Sequence, residues 1–231
     1  MTLDKRHLNI LHSAFPALSL SWIDSILDNG ELKFAQRDEL IVCKGDQAHC
    51  IFIISGIAIS EDGNRTNLYS PGECIGLRET FFSASLPDVR VLPYSGKSLK
   101  TVIQNPHGFK ENVRVLSNQL EYISIPGNAI LQSIASQSEL REAWLYLLNE
   151  VYEREMRNGL DLFHRNTTDR LREILEFIRK YADEKVSISV KHIQALTGIS
   201  RSSMYRSLKE LQENRELILC DNGIVRFQAC N

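Results

Sequence analysis

The spacing of apolar positions changes character along the chain, and each change predicts a different kind of element. Between residues 3 and 28 apolar side chains recur at helical spacing, with Leu8, Leu11 and Phe15 on one stripe. Pro16 separates two expected short helices there, LDKRHLNILHSAF and LSWIDSILDN. The next stretch, ELKFAQRDELIVCKGDQAHCIFIISGIAISEDGNRTNLYSPGECIG, is rich in β-branched residues. Turn signals break it at Lys44-Gly45-Asp46, Asp62-Gly63-Asn64 and Pro71-Gly72. Short strands so punctuated predict a small antiparallel barrel or roll. Ser85 to Asn112 holds Pro87, Pro93 and Pro106 with little periodicity, so most of it reads as loop. VRVLSNQLEYISIPGNAILQSIAS predicts closing strands and a short helix.

From Ser138 to about Leu162 the pattern becomes strongly helical. Leu140, Trp144, Leu147 and Val151 step by four, three and four residues and make an apolar seam. Such a seam either packs a helix on its own domain or dimerises it, and its position between two domains favours dimerisation. Asn158-Gly159 marks an expected weak point after it. NTTDRLREILEFIRKYA then starts another helix, capped by Thr167 or Thr168 with Asp169 in its first turn. Leu171, Ile174, Leu175 and Ile178 form its stripe.

The segment VKHIQALTGISRSSMYRSLKEL carries the chemistry. Val190, Ile193 and Leu196 bury a first helix, Gly198 allows a sharp turn, and Ile199 plugs the angle. Ser200 can cap a second helix whose inner face holds Met204, Leu208 and Leu211. Arg201, Ser202, Ser203, Tyr205, Arg206 and Lys209 remain as candidate DNA-contacting residues. A helix-turn-helix needs this division, because one face locks the angle while the other enters the major groove. The planar fork of arginine takes both O6 and N7 of guanine, or grips a phosphate. LILCDNGIVRF follows, where Asn222-Gly223 predicts a type I′ hairpin in the position of a wing.

Charge sharpens this picture only locally. The net charge is −2, yet Arg165 to Asn231 holds 12 Lys and Arg against 9 Asp and Glu, a basic end on an acidic body. The five cysteines, Cys43, Cys50, Cys74, Cys220 and Cys230, match no zinc or disulfide framework and read as reduced cytosolic thiols. Cys43 and Cys50 flank a predicted turn and form a candidate redox pair. No signal peptide, membrane span, metal spacing or nucleophile–base set emerges, so an enzyme is not expected and neither is a cofactor.

VKHIQALTGISRSSMYRSLKELQENRELI resembles the DNA-binding segment of the CRP/FNR family of bacterial transcription factors. KGDQAHCIFIISGIAIS and YSPGECIG are similar to turn and strand motifs of that family's β-roll. The resemblance implies an α+β chain: a cyclic-nucleotide-binding-like β-roll (1–135), a long dimerisation helix (136–164) and a winged helix-turn-helix (165–231). It implies a cytoplasmic homodimer bound to double-stranded DNA, with RNA polymerase as a further partner and no membrane. The rival reading is a ligand-sensing module acting through a protein partner. Departures from the family are informative. Arg201 is followed by Ser202, where the family often has a glutamate that accepts from cytosine. No cysteine cluster precedes residue 43. Gly76 is followed by Leu77 and Arg78 where a Gly-Glu pair would hold ribose, and Arg90 by Val91 where a hydroxyl residue would meet phosphate. Glu155 and Met156 stand where hydroxyls would meet adenine. Cyclic AMP is therefore not expected to bind, although Arg78 and Arg90 could hold another anion.

Overall fold

The computed structural model describes residues 5–16, 19, 22–23, 28–62, 65–83, 109, 111–136, 138–161, 166–181, 187–220 and 223–227. Helix α1 (Lys5–Ala14) precedes β1 (Glu31–Gln36), β2 (Leu40–Val42), β3 (His49–Ser55), β4 (Ala58–Asp62), β5 (Arg65–Tyr69) and β6 (Cys74–Ile75). Helix α2 (Leu77–Ser83), β7 (Asn112–Val115), β8 (Gln119–Pro126) and α3 (Gly127–Ser136) follow. All strand pairings among β1 to β8 are antiparallel, and they form two four-stranded sheets, ordered β1-β8-β3-β6 and β2-β7-β4-β5. The predicted loop between Ser85 and Asn112 falls almost wholly outside the described residues.

Strand alternation explains why CIFII is apolar without interruption. Ile51 and Ile53 of β3 point into the roll, where they meet Val42, Ala58, Val113, Val115, Leu120 and Tyr122 from both sheets. Cys50, Phe52 and Ile54 point the other way, into a second core with Leu11, Phe15, Trp22, Ile130, Trp144 and Leu147. A strand buried on both faces has no polar side to show. Glu121 ties α1 to β8 through polar contacts: Nε2 of buried His7 lies 3.0 Å from its Oε1, and the Arg6 guanidinium lies 3.6 Å from its Oε2.

Helix α4 (Ser138–Asp161) runs without a break through Asn158 and Gly159, contrary to the expected weak point. Its expected seam is divided. Trp144 and Leu147 are buried in their own chain's core, and Val151 packs partly against it. The side chain of Leu140 lies outside the described residues. Leu145 and Tyr146 are the large apolar side chains that α4 leaves exposed among the described residues. Helical period found the buried face, and the partner of that face is the chain's own roll.

The C-terminal part comprises α5 (Thr167–Tyr181), β9 (Ser187–Ser189), α6 (Val190–Thr197), α7 (Arg201–Glu213), β10 (Leu217–Leu219) and β11 (Ile224–Phe227). The strands make a small antiparallel sheet, β10-β11-β9. The apolar core of α5, α6 and α7 extends into the roll: Ile57, Ile59 and Leu116 are buried in it, and Leu68 packs against it. Ile59 and Leu68 are cross-strand partners on β4 and β5, and α6 rests on β5. No helix among the described residues is long and apolar enough to cross a membrane.

Candidate nucleic-acid interface

The sequence builds the α6–turn–α7 corner with local devices that each satisfy a specific need. Ser189 caps α6 by accepting from the His192 N–H, and Ser200 caps α7 by accepting from the Ser203 N–H. Between them Gly198 adopts φ 64°, a left-handed conformation that closes α6 through a hydrogen bond to the Gln194 carbonyl. Thr197 turns its hydroxyl back to the Ile193 carbonyl, and the Arg170 guanidinium donates to the Thr197 carbonyl. Ile199 is buried at the elbow. The angle between the helices is thus held from three sides.

The inner face of α7 is dry: Met204, Leu208 and Leu211 are 0% exposed. Its outer face presents exposed Arg201, Ser202, Arg206 and Lys209. Ser203 and Tyr205 are half-buried. The Ser203 hydroxyl lies 3.0 Å from the Ser200 hydroxyl, so it belongs partly to the cap. The Arg201 guanidinium sits over the Tyr205 ring, 5.8 Å from its centroid.

Beside this face lies an open polar cleft of about 460 Å³, lined by Asn166, Thr168, Asp169, Arg172, Arg206 and Glu210 among others. Asn166, not Thr167 or Thr168, caps α5, because its side-chain oxygen accepts from the Asp169 N–H at 2.9 Å. Thr168 instead reaches across to Ser207 (3.0 Å) and Glu210 (3.2 Å) on α7. Arg172 is paired with Asp169 at 3.2 Å and with Glu216 at 3.1 Å, and these bonds raise its already high pKa. It staples α5 to the turn between α7 and β10.

The wing differs from expectation by one residue. The Cys220 N–H donates to the Ile224 carbonyl and the Gly223 N–H to the Cys220 carbonyl, which leaves three residues in the loop rather than two. Gly223 takes φ 70°, as the last residue of such a loop requires. β9, a third strand that its short Ser-Ile-Ser sequence does not announce, pairs with β11.

The other sequence-derived candidates stay apart from this face. Arg78 is exposed on α2, while its neighbour Leu77 is buried in the helical core. Arg90 lies outside the described residues. Cys43 is exposed and Cys50 is 0% exposed, and both are free thiols. The Cys50 sulfur faces Thr80 at 3.6 Å and interacts with Cys74 rather than belonging to the turn that holds Cys43. Among the described residues no group of three His, Cys, Asp or Glu could hold a metal ion.

No protein-family model and no curated protein matches the sequence. Solved structures do match the fold. A protein from Eubacterium rectale assigned as a transcriptional regulator of the CRP/FNR family superposes with a TM-score of 0.61 at 14% identity, covering 94% of this chain and 95% of that one. The c-di-GMP-responsive global regulator CLP of Xanthomonas campestris gives 0.54 at 18% identity, covering 91% and 100%. FixK2 from Bradyrhizobium japonicum gives 0.53 at 11% identity, covering 87% and 93%. Roll, long helix and winged helix-turn-helix follow one another here as one continuous α+β architecture, and the chain has the fold of the CRP/FNR-type transcription regulators.

Proposed function

We propose that the chain is a divergent CRP/FNR-type transcription regulator that binds double-stranded DNA as a homodimer. Its units are a roll (1–135), a dimerisation helix (136–164) and a winged helix-turn-helix (165–231). The observation that carries this reading is the division of α7: a fully buried inner face beneath an exposed row of Arg201, Ser202, Arg206 and Lys209. Arg201 and Arg206 read bases or grip phosphate, Lys209 adds backbone charge, and Ser202 contributes a short polar contact. The dimer seam lies on the face of α4 that carries Leu145 and Tyr146. Two α7 helices then enter successive major grooves, about one helical turn apart. RNA polymerase is the further partner this reading implies, and no catalytic step belongs to it.

The effector of the roll is not cyclic AMP in this reading. Burying a cyclic phosphate demands a paired cation and hydrogen-bond donors. After Gly76 the chain offers a buried Leu77 and an outward Arg78 instead. A signalling module acting through a protein partner is not favoured, since it leaves the basic face of α7 without a role.

Selection of duplexes from a random-sequence pool tests the proposal. The wild type is expected to enrich an inverted repeat, and R201A/R206A to lose about 1–3 kcal/mol of specific binding per arginine. A double variant that binds the enriched duplex as the wild type does would refute the assignment of α7.

A further inference from the structure

Tyr205 occupies an unusual place on the reading face. It is half-buried, between the dry stripe of α7 and the exposed arginines. One turn back along the helix, the Arg201 guanidinium lies over its ring at 5.8 Å. At its other end, the hydroxyl oxygen comes within 3.8 Å of where a Cβ on Gly223 would stand. Gly223 is the wing turn, and its carbonyl accepts the Val190 N–H at 2.8 Å. A single side chain therefore lies against the first residue of the recognition helix and reaches toward the wing, which is itself tied to the start of α6.

We infer that Tyr205 is a positioning residue for sequence reading, whose ring holds Arg201 in the orientation that sets its base preference. The inference rests on the reading of α7 as the DNA-reading helix. An arginine at the first position of an exposed helix samples many rotamers, whereas a bidentate contact to guanine needs one. An aromatic face attracts the guanidinium and stacks with its plane, so the unbound protein already favours a narrow set of arrangements. Phosphate contacts supply most of the affinity for any duplex and do not depend on that orientation. Discrimination at the base met by Arg201 does depend on it. The tyrosine hydroxyl is directed to the wing, so the ring acts through the arginine rather than on a base.

The test uses the full chain and the duplex enriched by the wild type, together with every single base-pair substitution of it. Y205L and Y205Q remove the aromatic face, Y205F keeps it, and R201A defines the base pair that the arginine reads. Thermal melting of each variant reports that the fold is retained, and the two non-aromatic replacements guard against the failure of either one. R201A is expected to flatten the preference at one base pair of each half-site. Y205L or Y205Q should weaken the preference at that same base pair by about threefold. Preferences elsewhere and affinity for an unrelated duplex should stay unchanged, and Y205F should keep the wild-type profile. R201A/Y205L should be no flatter there than R201A. A change at a different base pair overturns the inference, because the ring would then touch DNA itself. A uniform loss on every duplex, or a loss additive to that of R201A, overturns it in favour of a structural role. An unchanged profile in a folded Y205L or Y205Q does so while leaving the assignment of α7 intact. A wild type that enriches no sequence removes both.

Discussion

Trp22 and Trp144 meet edge to face, with ring centroids 5.0 Å apart and planes at 65°. This contact fixes the inner face of α4 on its own roll and turns a different face outward. Trp144 is 3% exposed, whereas its neighbour Leu145 is 49% exposed, and the two should respond in opposite ways. W144A is expected to cost about 3–5 kcal/mol of folding stability, read from urea unfolding. L145D should change the stability of the isolated chain by no more than about 0.5 kcal/mol, yet shift light scattering from dimer to monomer and weaken operator binding. A dimer that survives L145D removes this face as the seam.

That pair also shows what was legible in the sequence. The period through Trp144, Leu147 and Val151 marks an apolar face, but a period cannot say whether self or partner covers it. The helix-turn-helix was readable because Gly198, Ile199 and Ser200 are local signals, each with a stereochemical demand that the structure meets. CIFII was readable as a strand for its β-branched run, although not as one buried on two sides. The cap at Asn166 and the approach of Tyr205 to the wing were hidden. The first competes with two adjacent threonines, and the second depends on a tertiary approach between residues 205 and 223.

Two glycines with positive φ separate backbone strain from crowding. At Gly198 (φ +64°) an added Cβ would meet nothing within 4 Å, so G198A should cost about 1–2 kcal/mol, the price of the left-handed conformation alone. At Gly76 (φ +81°) the same Cβ would stand 2.1 Å from the His49 carbonyl oxygen and 2.6 Å from the Phe109 ring. G76A should therefore cost about 3 kcal/mol or more. Urea midpoints of the two variants give the comparison, and equal losses would contradict it.

Burial pushes the Cys74 thiol well above its ordinary value of 9.0, and the neighbouring Cys50 thiol adds to the shift. Its contribution to stability is complete while the unfolded chain also keeps the proton. As pH rises past the ordinary thiol value, the unfolded chain ionises first and the contribution declines until the folded pKa is reached. Unfolding free energy should therefore fall more steeply with alkaline pH in the wild type than in C74A, by up to about 1.4 kcal/mol per pH unit. Parallel profiles between about pH 8 and 10 would speak against it.

Calorimetric titration of the intact protein with cyclic AMP and cyclic GMP is expected to give no heat of binding at micromolar ligand. Leu77, the residue after Gly76, is buried in the apolar core, so no carboxylate follows that glycine directly. Saturable micromolar binding of either nucleotide would show that other residues rebuild the pocket.

Ile57, Ile59 and Leu116 leave the roll's surface only because α5, α6 and α7 cover them, and each such side chain contributes about 1.5–3 kcal/mol when fully buried. The two halves of the chain are therefore linked in their melting as well as in sequence. Calorimetry should record one cooperative endotherm, and hydrogen exchange in α6 should track exchange in β4 and β5. A fragment cut before α5 would carry an uncovered apolar flank and tend to associate through it. The C-terminal helical unit of this chain is not an autonomous module: its stability is partly stored in the strand pair beneath it.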